Sequence, residues 1–172
     1  LSRPWLSFGL LVRLRCKALL RPGELLGLRG RDLRFVRLVS GVWATVVAVR
    51  HPKNAEFMGP TQFAMVRCQR LTRWLRWVVR VSRPWDTLWS SNRSIFLSRF
   101  RACFERLGIG HLRLTPGSLR PGGATDLFIN GTPVSEIKFL GRWASERSLS
   151  SYVQESMSYL VWSQINGSVM RV

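Results

Sequence analysis

A short β-rich stretch interrupts a chain whose apolar residues otherwise recur at helical spacing. Residues 42–50 are mostly β-branched or aromatic, residues 33–39 alternate loosely between apolar and charged, and residues 62–66 can form a third strand. Turn and loop residues separate these segments. The pattern predicts a three-stranded antiparallel meander that carries Lys53 at the tip between its last two strands.

Helical apolar spacing covers much of the remaining chain. Asn92 or Ser91 suits the N-cap of the helix that begins there, and Gly108 and Gly141 are natural helix ends. Candidate helices cover residues 5–20, 22–28, 67–81, 92–107, 118–130, 134–140 and 145–152, and the tail after 156 is weakly helical. Helices, a small sheet and further helices, in that order, predict a mostly helical α+β domain.

The net charge of +18 comes from 27 Lys and Arg against 9 Asp and Glu, and all these cations except Lys17, Lys53 and Lys138 are arginine. A hydrophobic fraction of 46% excludes a disordered basic tail. A folded domain of this charge favours a polyanion as its partner, nucleic acid first and an anionic membrane surface second. No apolar run approaches the roughly 18 residues that span a bilayer. Three dispersed cysteines and two histidines give no metal site.

Arg21 and Glu24 form the first candidate constellation. Arg21 precedes Pro22 at a predicted helix start, where backbone N–H groups and the helix dipole also favour an anion. Glu24 lies one turn further on and can hold the guanidinium in place. The alternative is an ordinary first-turn glutamate beside an exposed arginine.

Arg120 belongs to the second constellation, in residues 115–125. It also lies near a predicted helix start, and Gly122 and Gly123 follow it. These glycines permit close approach of another backbone or of a ligand. The alternative is a glycine-containing helix that simply packs tightly on its neighbour.

Trp143 and Tyr152 lie nine residues apart in the third constellation, residues 139–153. The alternative for the tyrosine is a partly buried core position. A separate basic segment, residues 67–76, also contains Trp74, and Trp77 follows it. It is either a DNA-contacting helix or a solvated arginine face over buried tryptophans. The candidate DNA-contacting residues are Arg70, Arg73, Arg76 and Arg142.

Taken in order, these segments resemble the catalytic domain of the tyrosine recombinase (phage integrase) family. That family has two widely separated arginines, a lysine on a small sheet between them, and a tyrosine that follows a His or Trp by nine residues. The corresponding residues here are Arg21, Lys53, Arg120, Trp143 and Tyr152. The amino-acid sequences of residues 118–125 and 140–143 are similar to those of the eukaryotic mobile-element and algal branch.

The resemblance covers roughly residues 10–156. It implies the tyrosine recombinase catalytic-domain fold, with a small three-stranded antiparallel sheet, for an N-terminally truncated domain at residues 1–156. Residues 157–172 would form a C-terminal tail with a candidate helix.

The resemblance implies a reaction in which the Tyr152 oxygen attacks a DNA phosphodiester, forms a 3′-phosphotyrosyl link and releases a 5′-hydroxyl. Arg21 and Arg120 would hold the non-bridging oxygens. Lys53 would protonate the leaving oxygen, which an ammonium does far more readily than a guanidinium. Trp143 would donate its indole N–H to a phosphate oxygen.

The resemblance also implies Glu24 as a brace for the arginine clamp. No metal, nucleotide or other cofactor is required by the reaction. The implied partners are double-stranded DNA and, on it, a homotetramer, with no membrane and no small-molecule substrate. The implied localisation is intracellular and DNA-associated, in the nucleus if the host is eukaryotic.

Gly117 departs from the family pattern, because the family usually has His three residues before the second arginine. Loss of an acid–base group typically costs about 10²–10⁴-fold in rate. Two functions therefore stand side by side: site-specific DNA recombination or integration by an enzyme impaired at Gly117, and a catalytically impaired DNA-binding remnant of a mobile-element integrase. A basic amphipathic protein at a membrane or ribosome is the third hypothesis and rests on charge alone.

Overall fold

The computed structural model describes residues 3–53, 55–147, 149, 150, 152 and 153. The strands are β1 (Leu33–Arg37), β2 (Trp43–Val49) and β3 (Gln62–Val66). The helices are α1 (Arg3–Ala18), α2 (Pro22–Leu26), α3 (Ala55–Met58), α4 (Gln69–Val81), α5 (Arg93–Arg106), α6 (Leu119–Ile129) and α7 (Val134–Gly141). Arg147 and the described residues that follow it are helical as well, and the predicted tail at 157–172 lies outside the described residues.

The three strands pair antiparallel in the order β1-β2-β3, which confirms the predicted meander. Thr45 lies opposite Phe35 on one side and opposite Val66 on the other. The connection between β2 and β3, predicted as a loop, contains the short helix α3. Its four residues favour helix, and Gly59 then turns the chain with a left-handed φ of +85°.

The larger apolar cluster joins α1, the sheet, α4 and α5. Leu14 and Val47 are 0% exposed, and burial of each such side chain contributes about 1.5–3 kcal/mol. The smaller cluster consists of Leu19, Ala124, Ile137, Trp143 and Leu149. It holds the end of α1 against α6, α7 and the last helical residues, and so brings the second and third constellations together.

Helix α6 packs closely against α1 at Gly123. A Cβ at this position would overlap the carbonyl oxygen of Cys16 and lie 2.8 Å from Cδ2 of Leu19. At Gly122 a Cβ would meet nothing within 4 Å. The predicted close approach of another backbone is therefore confirmed at Gly123, and no backbone of the described residues approaches Gly122. The contact places the first turn of α6, which contains Arg120, beside the end of α1.

Helix α4 buries its leucines, as its apolar spacing predicts, but leaves its tryptophans exposed. Leu71, Thr72 and Leu75 are 1% exposed, whereas Trp74 and Trp77 are 44% and 46% exposed. The Thr45 hydroxyl donates to the Thr72 hydroxyl at 2.9 Å, and this polar contact turns Thr72 towards the sheet. The alternative of an arginine face over buried tryptophans is thus wrong for both rings.

Helix α5 begins as predicted at Asn92, whose Oδ1 accepts a hydrogen bond of 2.9 Å from the backbone N–H of Ile95. Its predicted apolar stripe ends earlier than expected, because Leu107 is 69% exposed where Gly108 turns the chain. Among the described residues, no helix has the length and apolarity needed to cross a membrane.

Candidate active site

Glu24 organises the start of α2. Arg21 has extended backbone (φ −73°, ψ 156°), and Pro22 begins the helix. The Arg21 backbone N–H donates to Glu24 Oε2 at 2.8 Å, and Arg21 Nη1 donates to Glu24 Oε1 at 2.8 Å. The Glu24 side chain is 4% exposed and the Arg21 side chain 24%. The carboxylate therefore holds both the backbone and one guanidinium nitrogen of Arg21, while part of the Arg21 side chain stays open to solvent.

Arg142 reaches the same carboxylate from the end of α7. Its Nη2 donates to Glu24 Oε2 at 2.9 Å, and its Nη1 donates to the Ala18 carbonyl oxygen at 3.5 Å. Arg142 is 2% exposed, so its predicted role as a DNA contact needs correction. The structure gives this guanidinium protein partners inside the fold, where it supports Glu24.

Gly141 is the last residue of α7, and the chain is turned by Arg142, whose φ is +57°. The sequence predicts that Gly141 itself ends the helix through its conformational freedom. Instead, a Cβ at 141 would overlap the Trp143 ring, so this glycine makes room for the indole. Arg142 adopts the left-handed conformation in its place, held by its contacts with Glu24 and Ala18.

Arg120 stacks on Trp143. The guanidinium carbon lies 4.3 Å from the centroid of the indole, and Nη2 donates to the Gly141 carbonyl oxygen at 2.7 Å. Arg120 is 9% exposed and Trp143 is 8% exposed. Nε of Arg120 is buried and has no hydrogen-bond partner within the described part of the chain. The indole thus orients a guanidinium whose hydrogen-bonding capacity the protein does not fully use.

The electrostatics show that these groups share one site. Burial lowers the pKa of Arg120 to about 10, and the charges of Arg21 and Arg142 act in the same direction. Glu24 and Tyr152 oppose this shift, which places the half-buried Tyr152 within electrostatic range of Arg120. Burial also lowers the pKa of Arg142, against the opposing charge of Glu24.

The carboxylate of Glu24 stays ionised among these cations. Burial alone would raise the pKa of Glu24, but the Arg21 backbone N–H and the charges of Arg142 and Arg21 lower it below its ordinary value of 4.5. Three guanidiniums, those of Arg21, Arg120 and Arg142, thus surround this carboxylate. Their excess positive charge makes the cluster suited to an anion.

Lys53 lies outside this cluster. It is exposed in the β2–β3 connection and makes no hydrogen bond or ion pair to any other described residue. A cavity of about 220 Å³ begins at Glu24 and ends at Arg50 and His51, next to the hairpin tip. Arg50 forms an ion pair of 2.6 Å with Asp32 in the wall of this cavity. Lys53 follows His51 by two residues, so one end of this cavity lies next to the connection that carries it.

Gly117 is exposed in a 3-10 turn, Pro116–Ser118, directly before α6. It lines a second cavity of about 300 Å³ together with Thr115 and the buried Arg15. Arg15 Nε donates to the Leu20 carbonyl oxygen at 3.0 Å. Space is therefore present beside the position where the resembling family has its histidine.

No protein-family model and no curated protein matches the sequence. Solved structures do match the fold. XerH, a site-specific recombinase bound to palindromic difH in a post-cleavage complex, superposes with a TM-score of 0.72 at 14% identity over 95% of this chain and 46% of XerH. The pre-cleavage complex with difH gives 0.69 at 14% identity over 94% and 47% of the two chains. The Tn1549 transposon integrase with circular-intermediate DNA gives 0.54 at 11% identity, over 89% and 58%.

The chain has the tyrosine recombinase catalytic-domain fold. It spans about half the length of the recombinases that it matches. In this recombinase-like fold, Arg21, Glu24, Arg120 and Trp143 come together around Arg142, and Tyr152 is close by. The predicted DNA contacts Arg70, Arg73 and Arg76 lie apart from them on α4.

Sequence reasoning missed two kinds of contact in this site. Backbone carbonyls of Ala18 and Gly141 accept hydrogen bonds from Arg142 and Arg120. Arg15, 1% exposed, adds a further buried guanidinium close enough to Glu24 to feel its charge. Every residue has a backbone carbonyl, so a carbonyl partner is not marked by any residue type. The sequence therefore gave no means of finding the contacts with Ala18 and Gly141.

Proposed function

We propose that this chain is the catalytic domain of a tyrosine recombinase that cleaves and rejoins double-stranded DNA. The observation that carries the proposal is the assembly of Arg21, Arg120 and Arg142 around Glu24, with Tyr152 near Arg120. Such an excess of guanidinium charge fits a phosphodiester, and the tyrosine supplies a nucleophile. The fold shared with DNA-bound recombinases supports the same function.

In the proposed reaction, the Tyr152 oxygen attacks the scissile phosphorus. A bond forms between the tyrosine oxygen and phosphorus, and the bond from phosphorus to the 5′-oxygen breaks. The strand keeps its 3′-phosphate on the enzyme, and the 5′-hydroxyl can later attack in reverse to rejoin DNA. Arg21 and Arg120 stabilise the charge that develops on the non-bridging oxygens.

Lys53 is the proposed donor of the proton to the leaving 5′-oxygen. Its exposed position in the β2–β3 connection requires that DNA lie across the cavity between Glu24 and the hairpin tip. Trp143 holds Arg120 by stacking, and a donor role for its indole N–H is part of the same proposal. Glu24 and Arg142 hold Arg21 from behind.

The finer assignments extend this proposal. The sequences of residues 118–125 and 140–143 support integration of a mobile element, by a member of the eukaryotic mobile-element and algal branch. Assembly as a homotetramer on DNA and a nuclear location in a eukaryotic host belong to the same assignment.

A second candidate is a DNA-binding remnant without cleavage activity, and Gly117 is the observation that favours it. Glycine can neither exchange a proton nor hydrogen-bond a phosphate through a side chain. In a remnant the arginine cluster would still attract DNA phosphates, and binding would fall steeply with salt.

A nicked suicide duplex separates the two candidates, because loss of the short 5′-hydroxyl strand prevents religation and traps the covalent product. A library of such duplexes with random sequence at the nick allows the protein to select its own target. We expect a denaturation-resistant adduct that is absent from Tyr152→Phe. Salt-sensitive binding with no adduct from any sequence would overturn cleavage and leave the remnant.

A further inference from the structure

The outward face of α4 combines cations with exposed aromatic rings. Residues 57–85 contain six arginines and neither Asp nor Glu. The exposed rings of Trp74 and Trp77 meet edge-on, with their centroids 6.2 Å apart. This surface is therefore strongly cationic and presents indole faces to solvent.

A groove of about 470 Å³ lies between this face and the start of β2. It is lined by Trp43 of β2 and by Gln69, Arg73, Arg76, Trp77 and Arg80 of α4. The guanidinium carbon of Arg76 lies 4.3 Å from the centroid of the Trp43 ring, so one wall is an arginine stacked on an indole. The buried Thr45–Thr72 hydrogen bond fixes α4 against β2 beneath the groove.

The groove is remote from the proposed cleavage chemistry along the sheet. Trp43 begins β2, and Lys53 follows the end of the same strand. A strand of this length separates the two ends by about 20 Å. A ligand in the groove would therefore lie away from Lys53.

We propose that this groove binds an unpaired DNA strand, a function that goes beyond the proposed strand cleavage. Its arginines can contact phosphates, and the exposed indole of Trp77 offers a stacking surface to a base. A duplex keeps its bases stacked on one another and presents phosphates to such a surface, so exposed indoles would gain little from it. An acidic peptide would pair with the arginines and leave the rings unused.

The test is fluorescence anisotropy of the full chain with a labelled 12-nucleotide oligothymidylate and with a 12-base-pair duplex. We expect Trp77→Ala to weaken binding of the single strand more than binding of the duplex, because a duplex can also bind at the arginine cluster around Glu24. Trp77→Ala should weaken single-strand binding by roughly 5- to 100-fold, the range for loss of one stacking contact. Trp85→Ala is the matched control, because Trp85 is 60% exposed and lies outside the groove.

A second pair of variants separates the effect of position from the effect of removing one positive charge. Arg73→Ala and Arg101→Ala remove the same charge from exposed positions, but only Arg73 lines the groove. We expect the larger loss of single-strand affinity at Arg73. Trp77→Phe keeps a ring and should retain intermediate affinity, and circular dichroism checks that each variant is folded.

Three results would overturn the proposal: equal effects of Trp77→Ala and Trp85→Ala, an equal effect of Trp77→Ala on duplex and single-strand binding, or displacement of the oligonucleotide by an equal concentration of polyglutamate. The proposed cleavage activity fails independently. A chain that forms no Tyr152 adduct but binds oligothymidylate through Trp77 supports the groove and refutes the recombinase reaction.

Discussion

Arg142 and Glu24 form an ion pair in which both side chains are almost completely buried. Nη2 of the guanidinium lies 2.9 Å from Oε2 of the carboxylate, and the exposed fractions are 3% and 4%. The other carboxylate oxygen holds Arg21 at 2.8 Å. The pair thereby couples the end of α7 to the partly exposed arginine at the start of α2.

Replacing Arg142 by Met should destabilise the fold by about 3 kcal/mol, because it leaves the carboxylate of Glu24 buried with one fewer cation. Urea unfolding measures this loss as a lower transition midpoint. Lys17→Met is the control, since Lys17 pairs with Asp126 at 2.8 Å with both side chains roughly half exposed. That surface pair should contribute less than about 1 kcal/mol. Equal losses in the two variants would contradict a special role for the buried pair.

Glu24→Gln should remove a pH-dependent part of the stability. The pKa of Glu24 in the folded protein is lowered, so its stabilising effect is complete above the ordinary value of 4.5 and is lost as pH falls through the lower, folded-state pKa. Thermal melts from pH 7 to pH 3 should show the gap in Tm between the original chain and the variant narrowing at acid pH. Glu136→Gln, at an exposed position on α7, provides the control for removal of one negative charge. A gap that widens on acidification would refute this account.

Gly117→His should accelerate formation of the Tyr152 adduct by about 10²-fold or more, as expected for a restored acid–base group. The cavity of about 300 Å³ gives the imidazole room, although a Cβ at 117 would lie 2.9 Å from Thr115 Oγ1 and require that side chain to rotate. Gly117→Ala carries the same steric change without an imidazole. Single-turnover rates on the suicide duplex compare the two. Equal rates would mean that the histidine position has no part in this chain's chemistry.

Gly122→Ala and Gly123→Ala should shift stability in opposite directions. A methyl group at 123 overlaps the Cys16 carbonyl oxygen, and such overpacking costs about 1–3 kcal/mol. At 122 the methyl group meets nothing, and alanine in a helix interior gains up to about 1 kcal/mol over glycine. Differential scanning calorimetry should show a lower Tm for Gly123→Ala and a higher Tm for Gly122→Ala. A loss of similar size at both positions would argue against the α1–α6 contact.

Local signals account for the parts of the fold that could be predicted from sequence. The β-branched residues of β2 and the turn residues around it locate the sheet, and β3 has the predicted bounds Gln62–Val66. Asn92 caps α5 by accepting a hydrogen bond from the backbone N–H of Ile95, three positions later. These features depend on residues a few positions apart, so the sequence displays them directly.

Trp74 shows where the helical pattern fails. An apolar stripe predicts burial of this indole, yet Thr72 is the buried residue and Trp74 is 44% exposed. The hydroxyl of Thr72 is satisfied by Thr45, which lies 27 positions earlier in the chain. A polar residue with a distant partner carries no sign of burial in its own segment, so periodicity places Leu71 and Leu75 correctly but misplaces Trp74.

The interpretation of Arg142 as a DNA contact fails for the same physical reason, a partner that is distant in the sequence. Charged side chains are rarely buried unless they are paired, and the partner Glu24 is 118 positions away. The resemblance to recombinases led to Arg21, Glu24 and Arg120 as a group. Arg142 belongs to the same group because the end of α7 lies beside α2 in the fold.

The separation between Glu24 and Arg142 also determines when the arginine cluster comes into existence. Contacts between distant residues form late, because loop-closure entropy opposes them until the intervening elements have folded. A nascent chain still holding α7 inside the ribosome has Arg21 and Glu24 outside but lacks the second cation of the pair. The organised anion site therefore belongs only to a nearly complete molecule, and synthesis intermediates or fragments that stop before α7 would not possess it.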